Sequence, residues 1–203
     1  MKTKLHSIRH GFTLIEILVV ISIIAMLAAL LIGIRRPTTS PTQEVMMAIE
    51  SALERYYAKH AEYPTPANPD ETVEVSPGKF YRVGGAKCLY QALRGDGVDA
   101  IEGAKPTAEV PAASNGTVEP SELPEMLFKD MPRQMWREVN GHYFLVDSFG
   151  RPFQYVKADR ESKKTRRDTF DLWSFGEDDA HPQATSLETT QNSSLGAKWI
   201  KNW

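Results

Sequence analysis

Three residues near the start of the chain have the types and spacing to do chemistry: Gly11, Phe12 and Glu16. They sit in the run His-Gly-Phe-Thr-Leu-Ile-Glu at 10–16, which leads directly into an apolar stretch. From Phe12 to Ile34 the only charged side chain is Glu16. A carboxylate so close to the start of a membrane-length run is costly in hydrocarbon and calls for a partner. Cutting the chain after Gly11 would supply one. Phe12 would then carry a new α-amine, and amine and carboxylate could pair.

The elements that must position this pair follow from length. Residues 12–34 would form about 34 Å of helix at about 1.5 Å per residue. A hydrocarbon core is about 30 Å thick, so the run is expected to span it. It exceeds the apolar region of about 7–15 residues in a secretory signal peptide. Lys2, Lys4 and Arg9, with no acid among residues 1–11, make a basic head that reads as cytoplasmic, although Arg35 and Arg36 on the far side oppose that orientation.

The junction resembles the class III leader of type IV pilins and type II secretion pseudopilins, carried here by Gly11-Phe12-Thr13-Leu14-Ile15-Glu16 and the apolar residues after it. The resemblance implies that a membrane prepilin peptidase cuts after Gly11 and methylates the new amine of Phe12. It gives Glu16 the role of neutralising the amine of a neighbouring subunit in a helical filament. Many members carry a Pro where this chain has Gly33, with Pro37 and Pro41 following. Gly also bends helices, so any bend is expected between Gly33 and Pro41.

Removing residues 1–11 removes three cations and no acid, so a net charge of −2 becomes −5. That balance argues against nonspecific nucleic-acid binding. Cys88 is the single cysteine, which excludes an intramolecular disulfide, and it reads as a small buried apolar residue.

Beyond the apolar run, residues 35–63 read as a polar interruption and then an amphipathic helix. Val45, Met46, Ile49, Leu53, Tyr56 and Tyr57 share one side of it, with Ser40 or Thr42 as a cap. By resemblance this is the second half of a long N-terminal pilin helix. Residues 64–141 form an irregular insert, with a short helix around 86–93 stopped at Gly95-Asp96-Gly97 and an exposed loop over 103–124. Asp96 and Asp99 read as turn chemistry. Residues 142–176 hold three strands, at 142–147, 151–157 and 169–175, expected to form an antiparallel meander covered by the amphipathic helix. The charged stretch 159–168 reads as a solvated tip. Residues 177–203 are a C-terminal loop. The fold class is thus α+β and pilin-like, with a long N-terminal helix on a small antiparallel sheet.

Two further motifs resemble the C-terminal half of the major pseudopilin of type II secretion. Asp147, Gly150, Pro152 and Tyr155 match its first hairpin motif; Ser174, Gly176 and Asp178 match the second, with Phe175 where that family has Leu. The resemblance implies a calcium ion in the loop that follows, with Phe175 as a carbonyl donor and Asp178 as the first carboxylate; Asp179 or Glu188 could supply a compensating one. The family's second Asp falls on Asn192-Ser193-Ser194, which holds no carboxylate. The alternative is a polar loop held by hydrogen bonds, with Trp199 and Trp203 packed on the domain.

His60, His142 and His181 remain after the cut, none within a metal or triad motif, and no glycine loop cradles phosphate. The chain therefore reads as the substrate of a peptidase and not as an enzyme. The resemblance implies a single-pass inner-membrane precursor with its domain in the periplasm. Its partners are then the prepilin peptidase, other pseudopilin subunits and the inner-membrane secretion assembly platform. A minor pseudopilin, or a type IV pilin for adhesion or DNA uptake, shares the same features. A membrane-anchored ligand-binding module is the other class, and Phe80 and Tyr81 are the candidate aromatics for its site.

Overall fold

The computed structural model describes residues 14–33, 41–129, 131–178, 180–192 and 194–203. These fall into two compact units. One holds helix α1 (Leu14–Gly33), and the other runs from helix α2 (Pro41–His60) to Trp203.

Leu, Ile, Val, Ala and Met fill α1 without a Pro, and Glu16 lies in its first turn, where the positive end of the helix dipole favours a carboxylate. Its side chains are described over 14–26, and every one is exposed. Leu14, Ile15, Ile17 and their apolar neighbours to Met26 show between 49% and 84% of their surface. Among the described residues no helix is long and apolar enough to cross a membrane. The span expected over 12–34 extends beyond the described side chains at both ends. The segment 34–40, where the bend was expected, lies outside the described residues.

In the second unit α2 buries Met46, Ile49, Ala52 and Leu53, with Val45 and Tyr56 at the margin. Tyr57, expected on the same stripe, is exposed. Helix α3 (Gly84–Arg94) is buried along nearly all its length and ends on Gly95 in the left-handed conformation (φ +82), whose N–H donates to the Gln91 carbonyl. Burial pushes the Cys88 thiol in α3 above its ordinary value.

The strands form three small antiparallel sheets: β1 (Thr72–Ser76) with β2 (Lys79–Arg82), β3 (Trp136–Val139) with β4 (His142–Leu145), and β5 (Gln154–Lys157), β6 (Phe170–Ser174) and β7 (Ile200–Lys201) in that order. The expected meander over 142–176 is therefore split. β4 pairs backward with β3, and only the bridge Val146–Pro152 links it toward β5. That bridge is carried on either side of Pro152 by the Asp147 and Phe153 N–H groups, which donate to the Arg151 and Leu145 carbonyls respectively. The expectation of an irregular 64–141 is corrected too. Val73 and Val75 alternate with polar residues before the Pro77-Gly78 turn, and Asn140 and Gly141 both take positive φ between β3 and β4, as a two-residue hairpin requires.

β6 is buried on both faces. Phe170 and Leu172 point into a core shared with Met46, Ile49 and Leu53 of α2 and Leu89 and Leu93 of α3. Trp173 and the following Phe175 point into a second core with Val73, Tyr81, Phe144 and Trp199. The cover thus comes from both α2 and α3. Helix α3 comes close to β5 through Gly85, where an added Cβ would lie 2.5 Å from the Tyr155 carbonyl oxygen and 3.0 Å from its nitrogen. Backbone atoms cannot give way as side chains do. Gly85→Ala is expected to cost about 3 kcal/mol and to lower Tm by roughly 10 °C in a thermal melt. An unchanged Tm would show that α3 can move off the sheet.

Candidate functional site

The structure places the nominated residues in two regions. Gly11 and Phe12 lie outside the described residues; Glu16 is exposed in the first turn of α1. Phe175 and Asp178 lie in the second unit, directly after β6. Asp179 lies outside the described residues.

The two C-terminal motifs, far apart in sequence, are brought into direct contact. Asp147 is 2% exposed at the end of β4. Its Oδ1 accepts from the backbone N–H of Phe149 (2.8 Å) and Arg151 (2.9 Å), which closes the 147–151 turn. Its Oδ2 accepts from Ser174 Oγ at 2.5 Å, and Ser174 Oγ accepts in turn from the Gly176 N–H at 2.9 Å. Burial raises the Asp147 carboxyl above its ordinary value, against the opposing effect of these bonds and of Arg151. Thr42 joins the same turn to α2. Its hydroxyl accepts from the Ser148 N–H and shares a 2.6 Å bond with Ser148 Oγ, a tertiary contact; Ser40, the other cap candidate, lies outside the described residues.

Arg151 Nη1 reaches across from this turn and donates to the carbonyl oxygens of Gly176 and, at 3.2 Å, Asp178. Gly176 takes φ +58, and a Cβ there would stand 2.5 Å from the Lys198 carbonyl oxygen, so the reversal after β6 requires glycine.

Phe175 and Asp178, the nominated calcium donors among the described residues, are engaged by the protein. The Phe175 carbonyl accepts from the Asp178 N–H at 2.9 Å. The Asp178 carboxylate accepts from Trp199 Nε1 (3.0 Å) and the Ala180 N–H (2.9 Å), and His181 Nδ1 lies 3.2 Å away. Burial acts to raise the Asp178 carboxyl, but these bonds outweigh it and hold the group below its ordinary value. Among the described residues no group of three or more His, Cys, Asp or Glu could hold a metal ion. Calcium takes about 6–8 oxygens at about 2.3–2.6 Å, and the described donors do not fit such a set.

Sequence reasoning passed over the role of Arg151. It acts on backbone carbonyls some 25 residues later, a pairing with no local signature. The residues nominated for turn chemistry do more than turn. Asp96, fully buried, accepts from Tyr90 Oη (2.6 Å) and from the N–H groups of Asn115 and Gly116. Gln91 Nε2 donates to Asp99, and the Gln91 side-chain oxygen accepts from the Ala100 N–H. These bonds pin much of the long insert to α3. Tyr81 is buried against Phe175, whereas Phe80 is about half exposed, so the two do not form one exposed aromatic cluster.

Residues 7–32 match the prokaryotic N-terminal methylation motif. The match supports the type IV pilin-like class, whose precursors are processed by a prepilin peptidase and assembled into pilus-like filaments. No curated protein and no solved structure matches the chain.

Proposed function

We propose that the chain is a pseudopilin, a structural subunit of a periplasmic filament of a type II protein secretion system. The observation that carries this reading is the methylation motif at 7–32 leading into a helix whose described side chains are all exposed. Residues 12–34 anchor the precursor as a single pass in the bacterial inner membrane, leader toward the cytoplasm and domain in the periplasm. After the cut the same residues pack against those of neighbouring subunits. The exposed apolar surface of α1 needs such a cover, in lipid before assembly and in protein after it. Glu16 pairs with the methylated amine of Phe12 on an adjacent copy. The chain is acted upon by the peptidase and does no chemistry itself. The secretion platform and other pseudopilins are its assembly partners.

The contact between the two C-terminal motifs supports the secretion role over that of a minor pseudopilin or a type IV pilin for adhesion or DNA uptake. Deleting the gene is expected to stop export of proteins to the medium and to leave surface pili intact. Loss of pili, adhesion or DNA uptake with normal export would move the protein to the type IV pilins.

One observation favours an anchored ligand-binding module as a second reading. A cleft of about 540 Å³ lies beside the insert, lined by Tyr56 and His60 of α2 and by Val98, Ile101, Val110 and Pro124. Filling it with bulky side chains at Val98 and Val110 is expected to leave export unchanged on the filament reading and to abolish function on the binding reading.

A further inference from the structure

Phe175 and Asp178, nominated as calcium donors, are engaged, and the loop after β6 is closed at both ends. At its far end Trp199 donates its indole N–H to Asp178 and stacks on Trp173, with ring centroids 6.0 Å apart. At its near end the carbonyls of Gly176 and Asp178 point at a cation that the chain itself supplies, the guanidinium of Arg151. That side chain is held in place. Its own N–H donates to Asp147, its carbonyl accepts from the Asp147 N–H at 2.9 Å, and its guanidinium lies 5.5 Å from the Phe149 ring centroid. Asp147 also anchors Ser174 on the opposing strand. The turn that aims the cation and the strand that presents the carbonyls are thus joined by one buried carboxylate.

We propose that the Arg151 guanidinium is the resident cation that closes the start of the C-terminal loop, beside the donors that the resemblance assigns to calcium, so that loop closure needs no metal. The chemistry is suited to the role. A guanidinium keeps its charge at every working pH and carries five donors in a fixed fork. Converging carbonyl oxygens are the ligand type that calcium uses, and one permanently attached cation satisfies them without the entropic loss of capturing an ion. The family's second Asp position falls on Asn192-Ser193-Ser194, which holds no carboxylate in this chain.

The test uses the full-length protein in detergent micelles. Wild type, Arg151→Lys and Arg151→Met are melted with millimolar calcium or with chelator, and amide exchange is followed over residues 176–199. Wild type is expected to give the same Tm in both conditions and to retain no calcium in equilibrium dialysis. Arg151→Met is expected to lose roughly 5 °C in Tm, with exchange in the loop about tenfold faster. Arg151→Lys, which keeps the charge, should recover part of both. Purely apolar packing by the Arg151 stem predicts the reverse order, with Met the milder change. A calcium-dependent rise in wild-type Tm, accompanied by slower exchange over 176–199, would overturn the proposal. So would wild-type exchange in a folded Arg151→Met. If Arg151→Met does not fold, the wild-type calcium comparison and Arg151→Lys still decide.

Discussion

Glu16→Ala is expected to be cleaved normally and to form no filaments. Cleavage survives because Gly11 and Phe12, which flank the scissile bond, are unchanged. Assembly fails because on the proposed function the carboxylate is the partner of an amine that the cut creates. The pair has a definable magnitude. At about 4 Å and an effective dielectric near 20, opposite unit charges attract by about 4 kcal/mol, which is close to three factors of ten in an association constant. Removing one partner also leaves the other charge buried without compensation, which costs more than the pair alone contributes. The position of Glu16 in the first turn of α1 fits this role, since the dipole there already favours negative charge. Sheared-cell fractions and electron microscopy read the outcome. Normal filaments from Glu16→Ala would remove the ion pair from the assembly.

The second large effect lies in the domain. Asp147→Ala is expected to destabilise it by about 3–5 kcal/mol, because three donors lose one buried acceptor together. These are the N–H groups of Phe149 and Arg151 and the hydroxyl of Ser174. Tm should fall by roughly 10 °C. Ser174→Ala removes a single bond to this carboxylate and should cost only about 1 kcal/mol. Asp147→Asn should be far milder than Ala, since it keeps an acceptor for the turn and the carboxyl is already pushed toward its neutral form by burial. The pH dependence has a definite sign. With the folded value raised, the Asp147 contribution is complete below the ordinary carboxyl value of 3.8 and is lost as pH rises through the raised one. Asp147→Asn should flatten that part of the stability profile. Equal losses for Ala and Asn would show that the ionised group is required.

The order of these effects reflects what was legible in the sequence. The junction was legible because its chemistry is local: Gly11, Phe12 and Glu16 lie within six residues, and the apolar run behind them is uninterrupted. Helices α2 and α3 were legible from apolar spacing and from Gly95. The hairpins β1–β2 and β3–β4 carried their own signals in Pro77-Gly78 and Asn140-Gly141. Those signals were outweighed by the polar, glycine- and proline-rich character of the insert as a whole. The core of that insert was hidden for a different reason. Asp96 and Gln91 order it through side-chain bonds to backbone groups, which leave no periodic trace. The C-terminal motifs were visible as motifs, but their contact was not. Arg151 meets carbonyls, and any residue can supply a carbonyl, so no side chain at 176 or 178 announces the partner. The resemblance pointed to calcium in the loop after β6, and on the proposed closure the Arg151 guanidinium stands beside that loop instead.

The first of these results depends on one event, the cut that turns Phe12 into a new N-terminus. The measurement that tests it most directly is the intact mass of the protein isolated from membranes and filaments, with sequencing of its N-terminal peptide. The account predicts a chain of residues 12–203 carrying one methyl group on the amine of Phe12. A chain that still carries residues 1–11, or one cut at another bond, would contradict it.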